Sequence, residues 1–182
     1  MFTGLITRFK KRLEQKRLQS LRESLRQEFH KNIHNPYVRT FSGLRLLTLP
    51  INVDTEAYHP SLRGNLELRI ANLDILYQRL AFYINEYQRT INGTSIEWLS
   101  LPESLSKQKD SSENRWLDTY FGTSNPAVAY YKLTQLLELI EPYEDIFLKP
   151  KTDEDRALVN HCAHLFREME VLIEHYLLNR PV

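Results

Sequence analysis

Residues 66–91 read LELRIANLDILYQRLAFYINEYQRTI. In this stretch Leu66, Ile70, Leu73, Tyr77, Leu80, Ile84, Tyr87 and Ile91 alternate at spacings of four and three, the period of a helical seam. A second line, Leu68, Ile75 and Phe82, lies on another side at heptad spacing, and Leu76 and Tyr83 widen the first. A helix that is apolar on two faces must be buried against several neighbours. The stretch therefore predicts an all-α fold, a bundle of about five helices around this long central one. Its start is expected near Ser61 or Asn65, and Asn92-Gly93 suits a left-handed C-terminal cap.

Working outward, Leu158, Cys162, Leu165, Met169, Leu172 and Tyr176 repeat the same four-three alternation and predict a last helix packed beside the central one. Residues 152–155, Thr-Asp-Glu-Asp, read as an acidic variant of the capping box that opens it. Asn125-Pro126 is an N-cap followed by proline at the first helical position, and Leu133, Leu136, Leu137 and Ile140 give that helix a buried face. Pro142 is expected to end or kink it. Residues 105–112 are small and polar, the expected mobile loop, and Trp98 and Trp116 on either side read as core anchors. Residues 34–60 carry Pro36, Gly43, Pro50 and Pro60 and cannot form one helix. Within them LRLLTL (44–49) reads as one short extended segment.

Residues 1–33 contain no helix breaker except Gly4 and are rich in Leu, Arg, Lys, Gln and Glu, which predicts a basic amphipathic N-terminal helix or arm ahead of a bundle domain over residues 34–182. Two apolar stripes run along it, displaced by about 120°. Phe2, Ile6, Phe9 and Leu13 form the first, and Leu18, Leu21, Leu25 and Phe29 form the second, which is expected to pack on the body. The formal charge of +1 hides an asymmetry: residues 1–31 hold nine basic and three acidic side chains, a net of +6, so the remainder carries −5. A basic arm on an acidic body calls for an anionic partner or for docking of the arm on the body. The candidate anion contacts are Arg8, Lys10, Lys11, Arg12, Lys16 and Arg17, suited to nucleic-acid phosphate, to a membrane surface or to a protein partner.

With 182 residues, 42% hydrophobic and only five glycines, the chain is long enough for one cored domain and is not of disordered composition. The lone Cys162 allows no internal disulfide and favours a reducing, cytoplasmic location, and no apolar run is long enough to span a bilayer. The cations inside residues 1–13 do not match a secretory signal. No cofactor is expected. On the last helix His161, His164, Glu168 and His175 fall within a strip about 60° wide, the spacing at which helical bundles assemble metal sites, although half-buried polar edges look the same. Cys162 lies on the core seam and reads as inert packing.

Arg156 and His161 stand at an Arg-x4-His spacing at the start of the final helix of an α bundle. This resembles the Arg-x4-6-His motif of the HEPN ribonucleases, in which two subunits bring Arg and His together at a dimer cleft. The resemblance implies that Arg156 steadies phosphate charge and His161 transfers the proton of a 2′-hydroxyl, with no metal. Ala157 stands where that family often has a polar residue. A second likeness spans residues 44–178: a short Leu-rich segment, a long helix, a linker, Phe121-Gly122, Asn125-Pro126, Ala129-Tyr130, a Leu-rich helix from Leu133, and a last helix. That order resembles the AcaB-like proteins of integrative and conjugative elements. It implies encoding by a mobile element, DNA binding and transcriptional control, with no functional residue to carry over.

The expectation is thus a non-enzymatic binding or regulatory protein that meets nucleic acid or a protein partner through its basic helix, with a homodimer expected. A HEPN-type ribonuclease is the alternative, and a membrane-surface or secretion-associated adaptor comes third.

Overall fold

Asn35-Pro36 opens the helix on which most of the chain packs. The structure, a computed structural model, describes residues 2–49, 70–93, 102–106 and 126–178. They form α1 (Phe2–Lys31), α2 (Pro36–Leu47), α3 (Ile70–Ile91), α4 (Glu103–Ser106), α5 (Pro126–Ile140), a 3₁₀ turn (Glu141–Tyr143), α6 (Glu144–Leu148) and α7 (Asp153–Leu178). Among the described residues there is no strand, and five of the helices have twelve residues or more. The all-α bundle is therefore as expected. No helix among the described residues is long and apolar enough to cross a membrane.

α2 corrects the expectation of an extended segment at 44–49. Leu44 to Leu47 are its last turn, capped by Thr48, whose N–H and hydroxyl both donate to the Leu44 carbonyl. Asn35 accepts from the N–H groups of Tyr37 and Val38, and Pro36 occupies the first turn, where its missing N–H costs nothing. Arg39, Thr40, Phe41, Ser42, Gly43, Leu44, Leu46 and Leu47 are all buried. A helix with eight of its twelve residues buried and only a narrow half-exposed strip at Val38 and Arg45 has no wide polar face, so its 3.6-residue period is weak in the sequence. Its polar side chains are satisfied locally instead: Thr40 Oγ1 donates to the Pro36 carbonyl at 2.7 Å, and Ser42 Oγ to the Val38 carbonyl at 2.8 Å. Arg39 pairs with Glu170 at 3.2 Å and Glu174 at 3.6 Å, and its guanidinium lies 4.3 Å from the centroid of the Phe29 ring.

α2 packs on α1, α5, α6 and α7, while α3 packs on α5 and α7. Leu73, Leu76, Leu80, Tyr83, Ile84 and Tyr87 of α3 meet Leu158, Cys162, Leu165, Met169 and Ile173 of α7 in one core. The expected α3–α7 partnership holds, with two changes to the seam. Tyr77 and Ile91 are exposed, and the charged Arg79 and Glu86 are buried on the side of the second line, where Ile75 is buried as expected. Phe166, which has no place in the four-three alternation, is fully buried and closes an aromatic cluster with Tyr37, Phe41 and Phe147. Gly93 ends α3 at φ +84°, the left-handed cap the sequence called for. Pro142 likewise ends α5 in a 3₁₀ turn. Glu103–Ser106 forms a helical turn, which replaces the first residues of the expected loop. The central helix's start, Trp98, Trp116 and Phe121-Gly122 lie outside the described residues.

The capping box of α7 is present and extended. Thr152 Oγ1 accepts from the Asp155 N–H at 3.0 Å, and Asp155 Oδ2 accepts from the N–H groups of Lys151 and Thr152. Its other oxygen accepts from the Tyr87 hydroxyl at 2.7 Å, tying the start of α7 to the middle of the core. Burial pushes the Asp155 carboxyl up, but the hydrogen bonds from Lys151, Tyr87 and Thr152 outweigh it and hold the group below the ordinary carboxylate range. A carboxylate with a lowered folded-state pKa stabilises fully above its unfolded value near about 3.9, and that contribution is lost as pH falls through the folded value. Tyr87→Phe is expected to cost about 1.5–3 kcal/mol at neutral pH, the range for a hydrogen bond to a charged group. The difference from the wild type should shrink below about pH 4. Urea unfolding at pH 7 and pH 3 checks this, and an equal gap at both would contradict it.

Candidate contact helix

The first half of α1 is exposed to solvent along its length. Strong helix formers carry the chain through about four turns before the first half-buried side chain, Leu18. Every residue from Gly4 to Arg17 is exposed, including the apolar Leu5 (70%), Ile6 (53%), Phe9 (64%) and Leu13 (53%). Arg8, Lys10, Lys11, Arg12, Lys16 and Arg17 are all exposed beside them. The second half behaves differently. Leu25 is buried against Leu46 and Leu49, Phe29 is in the main core, and Leu18 and Arg22 are half-buried.

Winding α1 at about 100° per residue shows how the two halves relate. Leu18, Arg22, Leu25 and Phe29 define the face turned to the body, and Leu5, Ile6, Phe9 and Leu13 point about 180° away from it. The sequence placed the stripes about 120° apart because it counted Leu21 among the packed residues and left out Arg22 and Leu5; Leu21 is exposed, Arg22 half-buried and Leu5 exposed with the outer stripe. The outer stripe thus faces away from the bundle that holds the helix. Arg8, Arg12 and Lys16 run along or into one edge of it, Lys10 and Arg17 along the other, and Lys11 lies at the back. α1 is one continuous helix whose second half packs into the core through Leu25 and Phe29, as expected.

The remaining candidates sit on α7. Arg156 is exposed and ion-paired with Asp153, and also donates to the Lys151 carbonyl at 3.4 Å. His161 is half-buried, with its ring centroid 5.4 Å from that of Tyr83 and its Nδ1 donating to the Ala157 carbonyl at 2.6 Å. Five residues apart on a helix, Arg156 and His161 point about 140° from one another, so one chain does not bring them together. Glu168 turns to the buried Arg79 guanidinium at 3.8 Å, and His164 is exposed. The His175 side chain lies outside the described residues. Among the described residues no group of three or more His, Cys, Asp or Glu side chains is placed to hold a metal ion. Cys162 is fully buried, and burial pushes its thiol up to about 12, which leaves it protonated and unreactive at neutral pH.

Sequence reasoning missed the buried charges Arg39, Arg79 and Glu86. Each is an ordinary surface residue by type, and no local pattern marks it. No family model matches the chain, and neither a curated protein nor a solved structure matches it.

Proposed function

We propose that this is a non-enzymatic binding or regulatory protein, in which the bundle holds the first half of α1 out as the element that meets an anionic partner such as the phosphate backbone of nucleic acid. The observation that carries the reading is the exposure of six cations on a helix whose other half is locked into the core. Cations spaced along a helix position a polyanion without specifying its sequence. The likeness to AcaB-like proteins points the same way, toward DNA and a mobile element. The buried single thiol of Cys162 fits a reducing, cytoplasmic setting. The ribonuclease reading finds less support, since Arg156 is engaged by Asp153 and His161 by the Ala157 carbonyl.

The test is binding of a DNA or RNA duplex across salt. Affinity is expected to fall with a log–log slope of about −0.9 for each phosphate neutralised, and replacing one of Arg8, Arg12 or Arg17 by Gln should flatten the slope by about one. Removing residues 2–17 should abolish binding. Unchanged duplex affinity after that deletion would remove the arm as the contact element.

A further inference from the structure

The cations of α1 explain attraction to an anion, but not why Leu5, Ile6, Phe9 and Leu13 stay uncovered between them. The described residues of the body do not cover them, because the stripe points about 180° away from the face that Leu25 and Phe29 bury. A second copy of the arm is a poor cover. Carrying the spacing of Ile6, Phe9 and Leu13 one step further puts Lys16 in the seam of a paired helix, and Lys10, Arg12 and Arg17 at its flanks, where they would face their own kind. A nucleic-acid duplex would satisfy the cations and leave the apolar side chains in water.

We propose that the first half of α1 lies flat on an anionic bilayer surface, with Leu5, Ile6, Phe9 and Leu13 among the upper acyl chains and Arg8, Arg12, Lys16, Lys10 and Arg17 on the lipid headgroups. The proposal rests on the arm being the contact element and names what it contacts. The two cationic edges lie on either side of the stripe, so a plane meets both at once, and long basic side chains reach headgroups while their stems stay in the apolar layer. Glu14 lies about 125° from the centre of the stripe, beyond Lys10 and Arg17. The described residues that hold α1 lie on the far side of the helix axis from the stripe, so a plane can approach along about 24 Å of helix without meeting them. The cytoplasmic leaflet, with its anionic lipids, supplies the matching charge.

Co-sedimentation of the full chain with vesicles tests this. Vesicles of phosphatidylserine and phosphatidylcholine should carry the protein down, and vesicles of phosphatidylcholine alone should not. Ile6→Gln/Phe9→Gln/Leu13→Gln should lower partitioning by about a hundredfold or more, since three large apolar side chains no longer leave water. Arg8→Gln/Arg12→Gln/Lys16→Gln should lower it by about fivefold per cation. Gln is a good helix former and all six positions are exposed, so circular dichroism should show both variants folded. A full chain that stays in the supernatant with anionic vesicles, or a Gln stripe that partitions as well as the wild type, overturns the lipid assignment. If that same stripe variant still binds a duplex, the arm remains the contact element and only the lipid surface is lost. Vesicle binding that survives deletion of residues 2–17 places the lipid contact elsewhere and overturns this proposal, while duplex binding of the deleted chain decides the arm reading separately.

Discussion

Phe166→Ala is expected to destabilise the bundle by about 3–5 kcal/mol, the range for removing a fully buried aromatic ring. Phe166 has no exposed surface, and its ring centroid lies 4.6 Å from that of Phe147, 4.7 Å from that of Tyr37 and 6.0 Å from that of Phe41. These rings come from α2, α6 and α7, so no single helix can shift to fill the space that truncation leaves. The Tyr37 hydroxyl, which donates to the Val159 carbonyl at 3.1 Å, pins one wall of the cluster. For a chain of this size the loss corresponds to about 10 °C in Tm. Thermal unfolding by circular dichroism reads it directly. A shift under about 2 °C would mean that the three helices do not share this core.

Gly43→Ala is expected to cost about 1–3 kcal/mol, although alanine is the better helix former. A Cβ at position 43 would sit 2.4 Å from Ile173 Cγ2 and 3.2 Å from Phe29 Cδ2, so α1, α2 and α7 all converge on the missing side chain. Ile173 Cγ2 branches from the Cβ of its own helix and cannot swing aside as the end of a long side chain can. Ile173→Leu removes that branch at nearly constant volume. The double variant should therefore be more stable than the two single costs added together, which denaturant unfolding of all four proteins would show. Strict additivity would place Ile173 away from Gly43. Because Phe29 is the other neighbour, Gly43→Ala should also loosen the docked half of α1.

Elements with one wet face were legible in the sequence, and elements without one were not. α3 and α7 each carry buried and exposed sides, so their periods survived as four-three alternations, and the partnership between them followed. α2 has buried residues on every side, and Arg39, Thr40, Ser42 and Gly43 break its apolar run, so a run of leucines beside a glycine read as extended chain. What makes it a helix is local: the Asn35 cap, Pro36 in the first turn, and hydroxyls that bond back one turn. The capping box at 152–155 was legible because it is a contiguous motif. Its link to Tyr87 was not, since that bond joins residues 68 positions apart. Similarly the cations of the arm were plain from composition, but the direction of the apolar stripe depended on which leucines touch the body, and Leu21 does not pack there.

The buried ion pairs follow the same logic. Arg39 spans from α2 to α7 and also covers the Phe29 ring, so one side chain joins the docked half of α1 to the two helices behind it. That arrangement fixes the helix at one end and leaves the other in solvent. A helix held at one end needs no packing of its own to stay oriented, though its unpacked turns open easily.

Amide hydrogen exchange along α1 tests the central claim most directly. In the free protein, amides of residues 5–17 should exchange rapidly and those of residues 22–31 slowly. Adding anionic vesicles should slow residues 5–17 and leave α3 and α7 unchanged. Slow exchange of residues 5–17 in the free protein, or protection that appears on α7 with the arm unaffected, would contradict the account.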